Sequence, residues 1–509
     1  MKKTILLLLA LCFTSMMFAD NFVMIKVKDQ QNLRELFNKK DVNIHYYNDN
    51  FVLATSENLT ENMILLDDKS FEDNNLYFIV YCEKGEQQNY IERENVEVLF
   101  NNDNILIVKP LSNDLRPAKN DGMVAIYNKT AKLAQATRDF PSVVEKDQLV
   151  NGLMDEVSIE NLTNTVQHLQ DYERRQWSTN QAYEAGQWIY EQFESLGLDV
   201  EEFPFDYEGN PSSPNIIATQ WGTKYPDKYI VCGSHYDSER SGHGGQEAPG
   251  ADDNATGVAT VLETARILSE HNFEYSIIYC AFSAEEIGLI GSEAYAKSCA
   301  DIGYDIVAYF NNDMNGYLHP GNEIHVDLIY PENVEVLGEY YKNVAGVYFP
   351  EMQVRHIEFT KGDSDHTSFN NNGFMGIYPF EDKDNYSPYI HTLEDVIGIS
   401  VNSFEQSQRF TQMNIACVAT LATLSTENVM ENEYNHVTIF PNPAKNILTL
   451  TSEIEGIKDV KIINTLGQTI KEFSFETETT VDIKDLNNGV YFVKILGENS
   501  LTKKIVVRD

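Results

Sequence analysis

Between residues 151 and 425 the apolar positions follow two periods, one typical of strands and the other of helices. The clearest strand-like runs lie at 215–219, 229–233, 275–282 and 306–311. Helical spacing marks the segments at 158–169, 180–196, about 254–271 and 286–299. Apolar strands that alternate with helices are typical of a sheet covered on both faces. The pattern therefore predicts an α/β fold of three layers, with helices on both faces of a mixed, mostly parallel sheet.

Residues 20–118 carry a different pattern, in which short strands surround short helices. A strand at 22–27, a helix at 31–38 and two strands around a turn at 48–50 are followed by the same order, which ends around a turn at 102–104. The two turns begin Asn-Asp-Asn-Phe-Val-Leu and Asn-Asp-Asn-Ile-Leu-Ile, which indicates two copies of one α+β module. Two interpretations stay open: a propeptide that inhibits or chaperones, or an accessory domain.

Three segments complete the predicted organisation. Residues 119–150 are predicted to be a connector, and the polar, acidic stretch at 426–436 a linker. Residues 437–509 contain alternating apolar runs separated by turn residues, which favours a small β-sandwich.

The first residues are typical of a secretory signal peptide. A basic start at Lys2 and Lys3 precedes an apolar run, and Ala19 lies at a plausible cleavage point. The run is too short to span a bilayer, and no later stretch is apolar enough to do so. We therefore expect a signal peptide at 1–19 and an exported protein that is not inserted in a membrane.

Charge and cysteine content exclude several classes of protein. The 509 residues carry a formal net charge of -40, which argues against nucleic acid or an anionic membrane as a partner. Without Cys12 of the signal peptide, five widely spaced cysteines remain, an odd number that does not form a disulfide framework. Their expected roles are structural, with one bridge at most.

Histidines and carboxylates follow the predicted strands, at the sheet edge where ligands bind in α/β proteins. Because neighbouring side chains of an extended segment point to opposite sides, only one residue of the pair Glu285 and Glu286 is expected to bind a metal directly, and the other is free to act as a base. Asp237 is close enough to His235 to accept its second ring N–H. The candidate ligands are His235, Asp252 or Asp253, Glu285 or Glu286, Asp313, and His391. This combination suits zinc bridged by carboxylates.

Six short motifs in this region resemble those of secreted bacterial leucyl aminopeptidases, the di-zinc aminopeptidase family. They cover parts of residues 151–425 in the family's order: Gly-Ser-His-Tyr-Asp-Ser, Gly-Ala-Asp-Asp-Asn-Ala-Thr-Gly, Phe-Ser-Ala-Glu-Glu-Ile-Gly-Leu-Ile-Gly-Ser, Asn-Asn-Asp-Met, Ser-Asp-His and Tyr-Ile-His-Thr. The resemblance implies a zinc peptidase fold and hydrolysis of N-terminal residues from peptides.

The resemblance also implies a role for each site residue. Asp253 would bridge two Zn²⁺ ions, with His235 and Asp313 completing one site and Glu286 and His391 the other. Glu285 would be the general base for a water held between the metals, and Asp237 would support His235. Under the same resemblance His366 is not a ligand and is either structural or part of the substrate pocket.

The C-terminal residues resemble the sorting domain of the type IX secretion system. The matching runs are Phe-Pro-Asn-Pro-Ala, Leu-Gly-Gln, Gly-Val-Tyr-Phe-Val and Lys-Lys-Ile-Val-Val. The resemblance implies export through the periplasm by that machinery, to the medium or to the outer cell surface. A binding β-sandwich is the alternative, although no aromatic platform supports it.

Two other functions remain open at this point. A glutaminyl-peptide cyclotransferase shares the scaffold and several ligands but catalyses an intramolecular transfer. A non-catalytic metal-binding surface module would need no base, and the presence of both Glu285 and Glu286 argues against it. The intact pair of Asp252 and Asp253 favours two metals and hydrolysis.

Overall fold

A computed structural model of the chain describes most of residues 20–507. The residues left undescribed in that range are 72–75, 83, 103, 113–114, 116–120, 135–139, 208, 241–246, 360, 423–436, 441–443, 453–455, 457, 465–468, 488 and 497–500. The predicted signal peptide at 1–19 and the predicted linker at 426–436 lie outside the described residues. Within the described part of the chain, no helix is long and apolar enough to cross a membrane.

Two four-stranded antiparallel sheets form the N-terminal part, and both place their strands in the same order. The first contains β1 (Asn21–Lys26), α1 (Gln30–Phe37), β2 (Asn43–Tyr47), β3 (Phe51–Ser56) and β4 (Met63–Asp67). The second contains β5 (Tyr77–Tyr81), α2 (Gln88–Ile91), β6 (Val96–Asn101), β7 (Ile105–Pro110) and β8 (Gly122–Ile126). The strand order is β2-β3-β1-β4 in one sheet and β6-β7-β5-β8 in the other, as expected of a duplicated module.

The structure moves the end of this unit beyond residue 118. Strand β8 pairs with β5 along its whole length, from Gly122 opposite Tyr81 to Ile126 opposite Tyr77. The prediction that placed these residues in a connector at 119–150 is therefore wrong for β8. Its partner strand lies far back in the sequence, so no hairpin turn signals the pairing.

A mixed eight-stranded sheet with helices on both faces forms the centre of the molecule. Its strands are β9 (Asp199–Phe203), β12 (Asn215–Gln220), β13 (Tyr225–His235), β14 (Tyr275–Phe282), β15 (Asp305–Asn311), β16 (Val326–Ile329), β17 (Val354–Ile357) and β18 (Gly376–Phe380), and a short ribbon joins β10 (Asp206–Tyr207) to β11 (Asn210–Pro211). The order is β17-β16-β18-β15-β13-β14-β12-β9, with β13, β14, β15 and β18 parallel. The predicted α/β class is confirmed.

In the described part of the chain, eight helices surround this sheet. They are α3 (Gln148–Asp155), α4 (Ile159–Gln170), α5 (Asn180–Ser195), α6 (Gly257–Leu268), α7 (Ile290–Ile302), α8 (Glu335–Tyr348), α9 (His366–Asn371) and α10 (Phe404–Ala422). Four of them, α4 to α7, agree with the predicted segments to within about a turn, whereas the other four were not predicted. A turn at Ala251–Thr256, in which Asp253 and Asn254 have non-helical backbone angles, precedes α6, and a short 3₁₀ turn at Glu332–Val334 precedes α8.

Successive residues of the central strands enter two separate cores. In β14, Ile277 and Tyr279 face the core beneath α6 and α10, whereas Ile278 and Cys280 face the core beneath α7 and α9. This alternation buries both faces, which is why the strands are apolar throughout. All five cysteines after the signal peptide are buried and free, so none forms a bridge.

The C-terminal strands form two small sheets around one core. They are β19 (Val437–Phe440), β20 (Ile447–Ser452), β21 (Lys458–Asn464), β22 (Thr469–Phe475), β23 (Glu478–Asp482), β24 (Gly489–Leu496) and β25 (Leu501–Val507). The sheets have the orders β19-β20-β23 and β22-β21-β24-β25. Leu448 and Leu450 of one sheet share a buried cluster with Val460 and Val493 of the other. The arrangement matches the β-sandwich that the alternating pattern favours.

Candidate active site and metal centre

His235 ends strand β13, and its imidazole is almost fully buried. Its Nδ1 lies 3.2 Å from the backbone oxygen of Asp237 and 3.5 Å from the carboxylate Oδ1 of the same residue. The Asp237 carboxylate also accepts the backbone N–H groups of Glu285, at 3.1 Å, and Glu286, at 3.4 Å. Asp237 therefore contacts both the histidine and the backbone of the segment that carries the two glutamates.

Asp253 lies between two imidazoles. One carboxylate oxygen is 3.2 Å from Nε2 of His235 and the other is 3.2 Å from Nε2 of His391. The backbone N–H groups of Asp252 and Asp253 donate to the two carboxylate oxygens of Asp395, at 2.8 and 3.2 Å. Asp395, which was not predicted from the sequence, thus fixes the backbone of the turn that carries Asp253.

Asp252 points away from this cluster. Its Oδ1 accepts the backbone N–H of Gly316 at 2.8 Å. Burial, together with the negative charge of Glu381, raises the pKa of Asp252 well above its usual value. Of the two adjacent aspartates, only Asp253 is placed to bind a metal.

Glu285 and Glu286 line the same cavity, so the expectation that they point to opposite sides is wrong. That expectation assumed an extended backbone, whereas the chain turns at Ala284, which has a φ of 60°. Glu286 Oε2 is 2.8 Å from Nε2 of His391, and Glu285 Oε2 is 4.0 Å from Nε2 of His235. The two glutamates therefore approach different histidines.

Asp313 follows β15 and approaches His235 from the other side, with Oδ1 3.4 Å from Nε2. Its Oδ2 accepts a hydrogen bond of 2.7 Å from the Ser364 hydroxyl, which itself accepts one of 2.7 Å from Asn311 Nδ2. Among the described residues, Oδ1 of Asp313 has no hydrogen-bond partner although it is buried. Such an orphaned carboxylate oxygen beside a histidine fits a metal ligand.

His366 does not join the cluster. It lines a neighbouring cavity of about 300 Å³ between the N-terminal unit and the central sheet. Burial lowers the pKa of His366 to about 3, so its ring is neutral. This position agrees with the implication that His366 is not a ligand.

The electrostatics of the cluster favour a bound cation. Burial raises the pKa of Glu285 well above its usual value and that of Glu286 to about 8. Burial alone would lower the pKa of His235 and of His391, but nearby carboxylates raise both well above the usual value. Carboxylates outnumber histidines here and all are buried, so a positive charge would offset their mutual repulsion.

The ligand atoms are close enough to hold metal ions. Two groups each bring their atoms within 4.8 Å of one another: His235 with Asp253 and Glu286, and His235 with Glu285 and Asp313. Asp253 lies between the two histidines, so its carboxylate could serve two ions at once. The residues present therefore fit zinc, for which imidazole nitrogens and carboxylate oxygens are normal ligands.

A second acidic group, around His325, does not fit a metal. Arg355 donates to both carboxylate oxygens of Asp327, at 2.7 and 2.9 Å, and its Nη2 lies 2.9 Å from Nε2 of His325. The guanidinium already supplies the positive charge at this position.

Two family models match parts of the chain. Residues 215–415 match the model of peptidase family M28, and residues 438–508 match a secretion system C-terminal sorting domain. The chain thus contains an M28 peptidase domain. The predicted metallo-aminopeptidase class and the predicted sorting domain are confirmed, and a non-catalytic module is not supported.

Individual relatives place the M28 domain among aminopeptidases. A probable leucine aminopeptidase of Arthroderma otae is 28% identical over 276 residues, which cover 51% of this chain and 72% of that protein. Leucine aminopeptidase 1 of Leptosphaeria maculans is 29% identical over 316 residues, which cover 57% of this chain and 78% of that protein. The fold is similar to that of LapB from Legionella pneumophila, with a TM-score of 0.55 and 21% identity over 68% of this chain and 100% of that one.

Proposed function

We propose that the protein is an exported, zinc-dependent aminopeptidase that removes apolar N-terminal residues from peptides. The position of Asp253 carries this proposal, because its two carboxylate oxygens each lie 3.2 Å from Nε2 of a different histidine. A carboxylate shared in this way is the usual bridge of a two-metal hydrolase site.

Five residues would hold two zinc ions. Asp253 would bridge them, His235 and Asp313 would complete one site, and Glu286 and His391 the other. Imidazole nitrogens and carboxylate oxygens are both normal zinc ligands. Support comes from the unpartnered Oδ1 of Asp313 and from the approach of Glu286 to His391 at 2.8 Å.

Glu285 would act as the general base. Zinc bound at this centre would polarise the carbonyl of the scissile bond and increase the acidity of water. The Glu285 carboxylate faces the cavity, takes a proton from the attacking water and passes it to the leaving amine. Burial raises the pKa of this carboxyl, which makes it a stronger base than an exposed glutamate. Asp237 would hold it in place through the Glu285 N–H.

An apolar wall opposite the ligands would select the N-terminal residue. Met314, Phe380 and Ile390 line the same cavity of about 70 Å³ as Glu285 and His391. Such a wall suits an aliphatic side chain, in keeping with the names of the relatives. The signal peptide and the sorting domain would direct the enzyme through the periplasm and the type IX machinery, so its substrates would be peptides outside the cell.

Metal analysis combined with turnover tests this proposal. The purified protein should contain two zinc ions per chain and hydrolyse leucine p-nitroanilide, lose turnover with a chelator and regain it with zinc. Glu285→Gln should keep both zinc ions and lose turnover by at least about 100-fold. One zinc ion together with pyroglutamate formation from a glutaminyl peptide would instead identify a cyclotransferase.

A further inference from the structure

We propose that the N-terminal unit, residues 20–126, remains part of the working enzyme rather than being an inhibitor that is removed. Its strand β8 forms one wall of the substrate pocket and holds the base loop, residues 283–290, which carries Glu285 and Glu286. This inference rests on the proposed aminopeptidase function.

A backbone hydrogen bond joins the base loop to β8. The N–H of Ala125 donates to the oxygen of Gly288 at 3.1 Å. Since β8 lies at the edge of its sheet, it can bind β5 on one side and the base loop on the other. Gly288 has a φ of 122°, and a Cβ there would lie 2.9 Å from the nitrogen of Ala125. Only glycine permits this close approach.

The apolar side chains of the base loop are buried against the N-terminal unit. Ala284, Ile287 and Ile290 are each at most 2% exposed and share one cluster with Phe78, Val80, Met123 and Ala125. Leu289 enters a second cluster with Tyr77, Ile79 and Ile126. Removing the unit would expose a contiguous apolar patch next to the general base, which soluble proteins rarely tolerate.

The base loop also needs external support for its shape. Ala284 and Leu289 both have left-handed backbone angles, with φ of 60° and 61°, although neither is glycine. Such strain persists only where surrounding structure over-determines it. Within the loop, the N–H groups of Gly288 and Leu289 both donate to the backbone oxygen of Glu285 at 2.8 Å, so the support that β8 gives to Gly288 extends to the backbone that carries the general base.

Strand β8 begins at the substrate pocket itself. Gly122 and Met123 line the same cavity as Asp253, Glu285 and His391. A Cβ on Gly122 would lie 2.8 Å from Cα of Gly362, so the start of β8 packs against the loop on the opposite side of the cavity. The strand therefore spans the site from Gly362 to Gly288, and Met123 contributes to the surface that meets the N-terminal residue of a substrate.

Met123→Ala in the full chain tests whether β8 forms a wall of the substrate pocket. The variant should enlarge the pocket and raise the ratio of kcat/KM for phenylalanine over leucine p-nitroanilide by roughly tenfold, the usual effect of one or two methylene groups. Leu33→Ala is the matched control, because Leu33 is equally buried in the N-terminal unit but belongs to a core away from the cavity. It should leave the ratio unchanged. An unchanged ratio in Met123→Ala, or an active species whose intact mass lacks residues 20–126, would overturn the inference.

Gly288→Ala tests the support of the base loop, with Gly85→Ala as the control. Both glycines have positive φ, but a Cβ on Gly85 meets nothing within 4 Å. Gly288→Ala should speed hydrogen exchange at the amides of residues 285–290 and lower kcat roughly 100-fold, whereas Gly85→Ala should do neither. Unchanged exchange in Gly288→Ala would contradict the inference. If the natural protein hydrolyses no aminoacyl substrate, the proposed function fails, while the exchange measurement still decides whether β8 holds the loop.

Discussion

Replacing Arg175 by Lys should destabilise the peptidase domain strongly, although the charge is conserved. The guanidinium is fully buried, and its hydrogen bonds go to backbone oxygens. Nε donates to Tyr236 at 2.7 Å, Nη1 to Leu169 at 2.8 Å and Pro249 at 2.6 Å, and Nη2 to Gly250 at 2.8 Å. These bonds fasten the segment next to His235 to the turn that leads into Asp253.

The expected loss of stability follows from the geometry of the arginine and lysine side chains. Burial lowers the pKa of Arg175 to about 10, so the group stays charged at neutral pH, and a lysine would have a similar desolvation cost. Arg175 makes four hydrogen bonds from three nitrogens of a fixed planar fork, whereas the three N–H donors of a lysine leave from one atom. A single nitrogen cannot reach all four oxygens, so about two of the four bonds would be lost. At about 1.5–3 kcal/mol for a hydrogen bond to a charged group, the loss is about 3–6 kcal/mol. That is a large part of the about 5–15 kcal/mol by which domains are stable.

Urea unfolding followed by tryptophan fluorescence measures this loss. The three tryptophans are Trp177, Trp188 and Trp221, and none lies in the C-terminal sandwich. Trp177 also packs against a core cluster of the N-terminal unit, so the signal reports the peptidase part together with its contact to that unit. Arg409→Lys is the control, because Arg409 pairs at 3.0 Å with Glu351, whose side chain is 69% exposed, an arrangement expected to contribute less than about 1 kcal/mol. A loss below about 1 kcal/mol in Arg175→Lys would refute the reasoning.

Three further predictions concern pH, metal affinity and metal removal. Burial lowers the pKa of His45 to about 4, so the unfolded chain binds a proton at this histidine more tightly than the folded protein does. About 3 kcal/mol of stability that is present above pH 6.5 should therefore be lost as the pH falls to 4. His45→Gln should reduce this dependence of stability on pH, as measured by hydrogen exchange of β2 and β3. Ser364→Ala removes the hydrogen bond to Asp313 and should weaken zinc binding about 10- to 100-fold in a chelator competition; unchanged affinity would contradict the positioning role. Free zinc at about 100 times its Kd should stabilise the M28 domain by about 2.7 kcal/mol relative to chelator-treated protein, which a scan of tryptophan fluorescence would detect.

Much of the central fold could be predicted from the sequence because its signals are local. The strand predicted at 275–282 is observed as Tyr275–Phe282, since an apolar run bounded by polar residues needs no distant information. The positions of His235, Glu285 and Asp313 could be predicted together for a related reason. Parallel strands end at one edge of a sheet, so side chains that follow them meet there.

Other features depend on contacts between distant parts of the chain. Ser364 hydrogen-bonds to Asp313, and Asp395 accepts the backbone N–H of Asp252, both from far along the sequence. The Ser-Asp-His motif contains Ser364 but does not indicate this contact, and no local pattern marks Asp395. Glu285 and Glu286 line the same cavity because the backbone turns at Ala284, which is left-handed. The assumption of an extended backbone could not anticipate this turn.

In the central domain the sequence by itself determined strands β12 to β15, helices α4 to α7 and the types of residue that follow those strands, because periodicity and residue chemistry are properties of short segments. The tertiary structure decided that β8 belongs to the N-terminal unit, that this strand lies against the base loop, and that Met123 lines the same cavity as Glu285 and His391. Those facts rest on pairing and packing between residues far apart in the chain, where register and close approach depend on the whole fold.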